Sequence, residues 1–193
     1  MSTETKIIIS AVVISVLLLG GGVWFLSTQT AKEEVKLNQP LKGKEITIEG
    51  ENHIPEGTEV EYSTNPPTSG PHYGKSQPAG IYDKEIPDGN LIHSMEHGAV
   101  ILWYKQSLLS DESKDGTESA EINSLSKQDI ERLKQTFNSV SVSKKIMVPS
   151  IALDVPIALT SWGRLLKLQT IDEAQIKTFM ETNEDRGPEK APL

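Results

Sequence analysis

The four histidines of this 193-residue chain all lie between residues 53 and 97, and imidazole is the commonest protein ligand for transition metals. Three or four imidazole nitrogens suit zinc, copper or nickel, and a sulfur ligand from Met95 or Met147 would favour cuprous copper. The sequence therefore predicts a site for copper or zinc. Its expected ligands are His53, His72, His93 and His97.

The residues around the histidines are of a kind that holds side chains in place. His72 closes the segment NPPTSGPH, whose prolines stiffen the backbone. His93 and His97 lie in HSMEHG, directly before the apolar run GAVILWY, which predicts a buried strand. A rigid loop that meets a turn at a strand edge can fix imidazoles, as a metal site requires.

Glu96 allows several chemical roles: metal ligand, acceptor that orients a histidine, or general base. Residues 93–97 fit the H-x-x-E-H pattern of inverted zinc peptidases, in which a helix carries both histidines and the glutamate activates water. Here Gly98 and a β-rich run follow at once, where that helix should continue. We therefore expect metal binding, with a metal-dependent hydrolase that uses Glu96 as its base as the alternative.

Composition excludes some classes of partner and chemistry. The formal net charge is −8, which argues against nucleic acid, since phosphate contacts need clustered lysines and arginines. Without cysteine, the chain can form no disulfide, thiolate metal site or thiol nucleophile. The polar segment 107–124 predicts an exposed excursion. A scaffold that recruits an unknown protein partner through this segment is a further alternative.

The apolar segment at residues 7–26 predicts a membrane anchor. Its roughly 20 uncharged residues match the hydrocarbon core of a bilayer, and Trp24 lies at the far end, where aromatic rings favour the interface. The segment is longer than the apolar part of a cleaved signal peptide. The lysines on its two sides do not decide the orientation. A short head and a long tail suit a single-pass cell-membrane protein with its C-terminal domain outside the cytoplasm.

The remaining patterns predict an α+β domain. The prolines and glycines of residues 63–90 predict an ordered loop without a helix. Two helices are expected to pack on one face of a mostly antiparallel sheet, preceded by one N-terminal transmembrane helix. Strands are expected at 45–49, 98–104, 145–150 and 157–168, and helices at 126–140 and 170–183. The predicted division is an anchor (1–27), a polar stalk (28–44), a soluble domain (45–189) and a tail (190–193).

Several motifs, in order along the chain, resemble a prokaryotic membrane-anchored family of unknown function, DUF3105. They are PPTSGPH at 66–72, GIY at 80–82, HSMEHGAVILWY at 93–104, LTSWGR at 159–164 and GPE at 187–189. Met95 stands where the family pattern usually has leucine. The resemblance supports the choice of the four histidines and Glu96, and it implies no established reaction.

Overall fold

The computed structural model describes residues 2–106 and 125–193, and the chain divides into two compact units, Met1–Pro40 and Leu41–Leu193. The first unit is one helix, α1 (Thr3–Asn38), whose large apolar side chains at residues 7–26 are exposed. Among the described residues it is the one helix long and apolar enough to cross a membrane, judged by length and composition. It runs on through residues 28–38, which were expected to form part of a polar stalk.

The second unit is an α+β domain, as predicted. Its elements in chain order are β1 (Lys44–Glu45), β2 (His53–Ile54), β3 (His72–Tyr73), β4 (Gly80–Ile81), α2 (Asp88–Glu96), β5 (Val100–Lys105), α3 (Lys127–Ser139), β6 (Lys145–Ser150), β7 (Ile157–Ser161), β8 (Arg164–Leu168) and α4 (Glu173–Asn183).

Six strands form one mixed sheet in the order β1-β8-β7-β5-β6-β4. The pairs β1–β8, β8–β7 and β7–β5 are antiparallel, whereas β5–β6 and β6–β4 are parallel. Parallel neighbours need a crossover connection, and the connection from β5 to β6 contains α3. The strands β2 and β3 form a separate two-stranded parallel sheet.

Every residue of the central strand β5 is buried except the last, Lys105. Successive side chains of a strand point to opposite faces of the sheet, so both faces are covered at β5. Val100 and Leu102 belong to a hydrophobic cluster that includes Leu133 of α3 and Phe179 of α4. On the other face, residues 101 and 103 pack in a cluster with Leu91, Ile92 and Met95 of α2. The two predicted helices therefore cover one face, and α2 covers the other.

Helix α2 corrects the prediction of an unbroken loop that leads to a strand-edge turn. The helix begins at Asp88 and ends at Glu96. Gly98 has a φ of +92° and its N–H donates to the Met95 carbonyl over 2.9 Å, while the Ala99 N–H donates to the Ser94 carbonyl over 2.8 Å. This pair of bonds is a Schellman motif. In the sequence Gly98 argued against a helix at residues 93–97, and in the structure it terminates helix α2.

The other helices and strands differ from expectation mainly at their ends. Ser126 caps α3 as predicted, with its Oγ accepting from the Asp129 N–H over 3.1 Å. Helix α4 is capped by Asp172 rather than Thr170. The strand expected at 157–168 is a hairpin of β7 and β8, and the strand expected at 45–49 is reduced to β1. The excursion expected at 107–124 lies outside the described residues.

The carboxyl group of Asp88 lies in an unfavourable environment at the first turn of α2. Burial, and then the charge of Glu85, raise its pKa from 3.8 to about 6. The charge of Asp88 in turn adds to the burial that raises the pKa of Tyr62 to about 12. Ionised Asp88 therefore destabilises the folded domain.

Asp88→Asn should stabilise the fragment 41–193 above pH 6 and leave its stability unchanged below pH 3.8. Between these pH values the folded wild type keeps a proton on Asp88 that the unfolded chain has lost. The free energy of unfolding of the wild type therefore falls, relative to that of Asp88→Asn, as the pH rises through this range. The gain is at most about 3 kcal/mol, at about 1.4 kcal/mol per pKa unit. Urea unfolding at pH 3.5 and pH 7.5 measures it.

The exposed Glu131, with a side chain that is 62% exposed, provides the control. Glu131→Gln should change the free energy of unfolding at neither pH. Equal free energies of unfolding for Asp88→Asn and the wild type at pH 7.5 would contradict the destabilising role of Asp88.

Candidate metal centre

The short parallel pair of β2 and β3 holds two imidazoles side by side. In this pair His53 lies opposite His72, and Ile54 lies opposite Tyr73. The His72 N–H donates to the Asn52 carbonyl over 2.9 Å. Residues that lie opposite each other on neighbouring strands point to the same face. The register of β2 and β3 therefore brings His53 and His72 together, as the sequence predicted.

Helix α2 supplies three further side chains with the potential to bind a metal. Helical residues three and four positions apart are neighbours, so His93 lies beside Glu96 and His97. His97 is the C-cap, and its N–H donates to the His93 carbonyl over 3.1 Å. The H-x-x-E-H pattern therefore does lie at the end of a helix, contrary to expectation.

Hydrogen bonds fasten the segment that follows β3 to α2. The Gln77 N–H donates to Ser94 Oγ over 2.8 Å, and Ser94 Oγ lies 3.0 Å from the carbonyls of Gln77 and Asn90. The Asn90 side chain donates to the Lys75 carbonyl over 2.7 Å. These bonds set the position of His72 relative to the histidines of the helix.

Three imidazoles and one carboxylate form a cluster: His53, His72, His93 and Glu96. The ring centroids of the three histidines are 4.9 Å apart for His53–His72, 4.8 Å for His53–His93 and 5.2 Å for His72–His93. Each residue offers one ligand atom, and these atoms all lie within 4.8 Å of one another. The side chains of His72 and Glu96 are 0% and 4% exposed, whereas that of His53 is 54% exposed. The cluster is therefore buried on one side and open to solvent at His53.

The main chain determines which ring nitrogen carries the proton in three of the histidines. In each of them Nδ1 lies at hydrogen-bond distance from a carbonyl oxygen, which can only accept, so Nδ1 carries a proton and donates it. In the neutral ring, Nε2 then has a lone pair. The bonds are 2.8 Å from His72 to Gly70, 2.7 Å from His93 to Tyr73 and 2.9 Å from His97 to Pro192.

The Nε2 atoms of these rings face other acceptor atoms. His72 Nε2 lies 3.0 Å from Glu96 Oε2, and His93 Nε2 lies 3.0 Å from His97 Nε2. Facing lone pairs repel unless a proton or a metal ion is shared between them. Metal-bound histidines commonly donate their other N–H to a carbonyl or carboxylate. The rings are thus oriented as they are in metal sites.

Burial lowers the pKa of His93 below its ordinary value of 6.5. The hydrogen bond to the Tyr73 carbonyl opposes this shift, and the three neighbouring imidazoles add to it. His93 is therefore neutral at pH 7, which is the form of imidazole that binds a metal ion.

His97, which was predicted to be the fourth ligand of one site, falls in a second group with Glu96 and Glu189. Its Nε2 lies 3.3 Å from Glu189 Oε2. The sequence argument did not single out Glu189. The signal that could have found it is the GPE motif at 187–189, one of the segments that carry the family resemblance.

The two methionines considered as sulfur ligands are core residues. Met95 is fully buried in the cluster between α2 and the sheet, and Met147 is fully buried in the cluster on the opposite face. The groups gathered at the centre are therefore imidazoles and carboxylates.

The family model described as "Protein of unknown function (DUF3105)" matches residues 53–192. The chain belongs to this family. The match includes all four histidines, Glu96 and Glu189, so both groups of ligand atoms lie inside the DUF3105 domain. No curated protein and no solved structure matches the chain. The resemblance to DUF3105 noted from the motifs is confirmed, and membership brings no established activity with it.

Gly98→Ala should destabilise the fragment 41–193 more than Gly57→Ala does. Both glycines have a positive φ, of +92° and +83°, so each substitution strains the backbone by about 1–2 kcal/mol. At Gly98 the new Cβ would also lie 2.8 Å from Asp185 Cα, whereas no atom lies within 4 Å at Gly57. We expect a further loss of about 1–3 kcal/mol for Gly98→Ala, measured by urea unfolding. Equal losses would contradict the tight packing at the end of α2.

Proposed function

We propose that this protein is a membrane-anchored domain, located outside the cytoplasm, that binds a divalent ion of zinc or copper. The ligands are His53, His72, His93 and Glu96. One observation carries the proposal: ligand atoms of these four residues all lie within 4.8 Å of one another, while main-chain carbonyls hold the Nδ1 atoms of His72 and His93. A cation is the group that such a convergence of acceptors binds.

The ligand atoms favour zinc or cupric ion over cuprous ion. Soft thiolate and thioether ligands select cuprous copper, whereas imidazole suits zinc and cupric copper. The chain has no cysteine, and Met95 and Met147 are packed in the core. The Glu96 carboxylate neutralises half the charge of a divalent ion, which lowers the cost of burying that ion.

The position of Glu96 favours a ligand over a general base. Its Oε2 lies 3.0 Å from His72 Nε2 and 3.7 Å from His53 Nε2, within the group of ligand atoms. A general base must lie within hydrogen-bond reach of the proton that it takes, and this oxygen already faces two imidazoles. For this reason we prefer metal binding to metal-dependent hydrolysis.

The exposure of His53 favours a role in metal handling over a purely structural metal. Structural zinc sites are closed, with all ligands packed around the ion. Here the imidazole of His53 is more than half exposed, and the two-residue strand that carries it is short. An ion at this position is accessible to exchange with a donor or acceptor in solution.

Helix α1 supports the anchor. At about 1.5 Å per residue, the uncharged residues 7–26 span about 30 Å, the thickness of the hydrocarbon core. Their side chains are exposed, as in Leu18 at 71% and Trp24 at 70%, and a surface of this size needs a cover other than water. A lipid bilayer provides that cover.

His53→Ala should weaken metal binding by about 100-fold or more, because it removes a ligand, and the loss of an outer partner alone typically costs 10–100-fold. Untagged full-length protein in detergent is stripped with a chelator and titrated with cupric ion and with zinc. Cupric ion should quench the fluorescence of Trp162, whose ring centroid is 6.3 Å from that of His72. Competition with a chelator gives the affinity for both ions.

Glu56→Ala is the matched control, since Glu56 is exposed, lies three residues after His53 and is outside both ligand groups. It should bind both ions as the wild type does. Trp162→Phe should remove most of the quenching and leave the affinity measured by chelator competition unchanged. A wild type that binds neither ion, or a His53→Ala variant with unchanged affinity, would rule out this site.

The full-length chain should stay with the membrane pellet after washing with alkaline carbonate, whereas the fragment 41–193 should stay in the supernatant. Protease added outside intact cells stripped of their wall should digest the C-terminal domain. Release of the full-length chain by carbonate would contradict the anchor. Digestion only after permeabilisation would contradict the orientation.

A further inference from the structure

A second group of possible metal ligands lies beside the first and shares Glu96 with it. It consists of Glu96, His97 and Glu189, whose ligand atoms all lie within 4.8 Å of one another. His97 Nε2 is 3.3 Å from Glu189 Oε2 and 3.0 Å from His93 Nε2, so the two groups are in direct contact.

Main-chain contacts hold Glu189 in place beside the end of α2. Its own N–H donates to the Glu96 carbonyl over 3.0 Å. At Gly187 an added Cβ would overlap the Glu96 carbonyl and crowd the Gly98 nitrogen, so only glycine permits this approach of the two backbones. The segment that carries Glu189 is therefore built against the helix that carries Glu96 and His97.

The residues after Glu189 continue this attachment. Lys144 Nζ donates to the Ala191 carbonyl over 2.9 Å, and His97 Nδ1 donates to the Pro192 carbonyl over 2.9 Å. The latter bond leaves His97 Nε2 as the acceptor that faces Glu189. The nearby ammonium groups of Lys144 and Lys190 pair with Asp185.

We propose that the centre is dinuclear, with Glu96 as a bridging carboxylate and a second divalent ion held by His97 and Glu189. This inference rests on the proposed function of the first group. Of the two Glu96 oxygens, Oε2 faces His72 and His53, and a carboxylate can offer its other oxygen to a second ion. Glu189 adds a second carboxylate to the shared Glu96, so the two carboxylates together offset half of the four positive charges of two divalent ions.

The second ion has fewer protein ligands than the first. Three side chains leave positions for water or for another molecule, which is the coordination that distinguishes reactive from closed metal sites. Glu189, at 54% exposure, places these positions at the protein surface. The expected ligand of the open positions is therefore a small molecule or ion from solution.

The number of ions bound tests the proposal. Untagged full-length protein in detergent, stripped of metal, is saturated with zinc, freed of excess zinc and analysed for its metal content. We expect two zinc ions per chain for the wild type and one for Glu189→Gln, which keeps the backbone N–H and removes the carboxylate charge. Glu131→Gln, at an exposed position on α3, is the matched control and should bind two.

Electron paramagnetic resonance of the protein loaded with cupric ion gives a second measurement. Two neighbouring cupric ions broaden each other's spectrum and produce a half-field transition. Glu189→Gln should restore an ordinary mononuclear spectrum that integrates to one spin per chain. Both measurements are independent of any enzymatic activity.

The outcomes separate this inference from the function on which it rests. One ion per chain in both the wild type and Glu189→Gln overturns the second site and leaves the first in place. Two ions in both proteins also overturns it, because the second ion is then bound elsewhere. No bound ion in the wild type overturns the proposed function and the dinuclear centre together.

Discussion

The bonds from three imidazoles to main-chain carbonyls are the constraint on which this centre depends. Each bond takes up the proton of Nδ1, and the acceptor nitrogen of the same ring is then directed at another acceptor. Clustering lone pairs and a carboxylate out of water costs free energy unless a positive charge offsets it. The backbone is stiff enough to hold the rings there, because strand pairing fixes His72 and a helix fixes His93 and His97.

The mixed sheet is the platform that makes this arrangement possible. Its central strand is buried on both faces, so α3 and α4 can cover one face while α2 covers the other. Met95 anchors α2 in the core, and His93 and Glu96 of the same helix face away from it toward β2 and β3. One face of this nine-residue helix thus packs in the core, and another face carries the possible ligands.

Local patterns predicted the elements that have a local cause. The continuous apolar run of β5 and the Ser126 cap of α3 are both visible in neighbouring residues of the sequence, and both are found in the structure. The clustering of histidines along the chain predicted one site formed by all four, whereas three of them lie together with Glu96 and His97 falls in the second group. The short helix α2 was missed because its stop signal, Gly98, was interpreted as the start of a strand. The contact of His97 with Glu189 joins distant residues, and no spacing rule predicts such a contact.

The segment around Glu189 folds back against α2 and so brings together parts of the chain that are far apart in sequence. Residues that gather at the centre are drawn from β2 at one end of the domain and from beyond α4 at the other. Contacts between such distant parts of a chain close late, since the entropy of forming the loop must be overcome first. During synthesis, His53 and His72 emerge long before Glu189. The group of Glu96, His97 and Glu189 can therefore form only after the segment beyond α4 has folded back against α2.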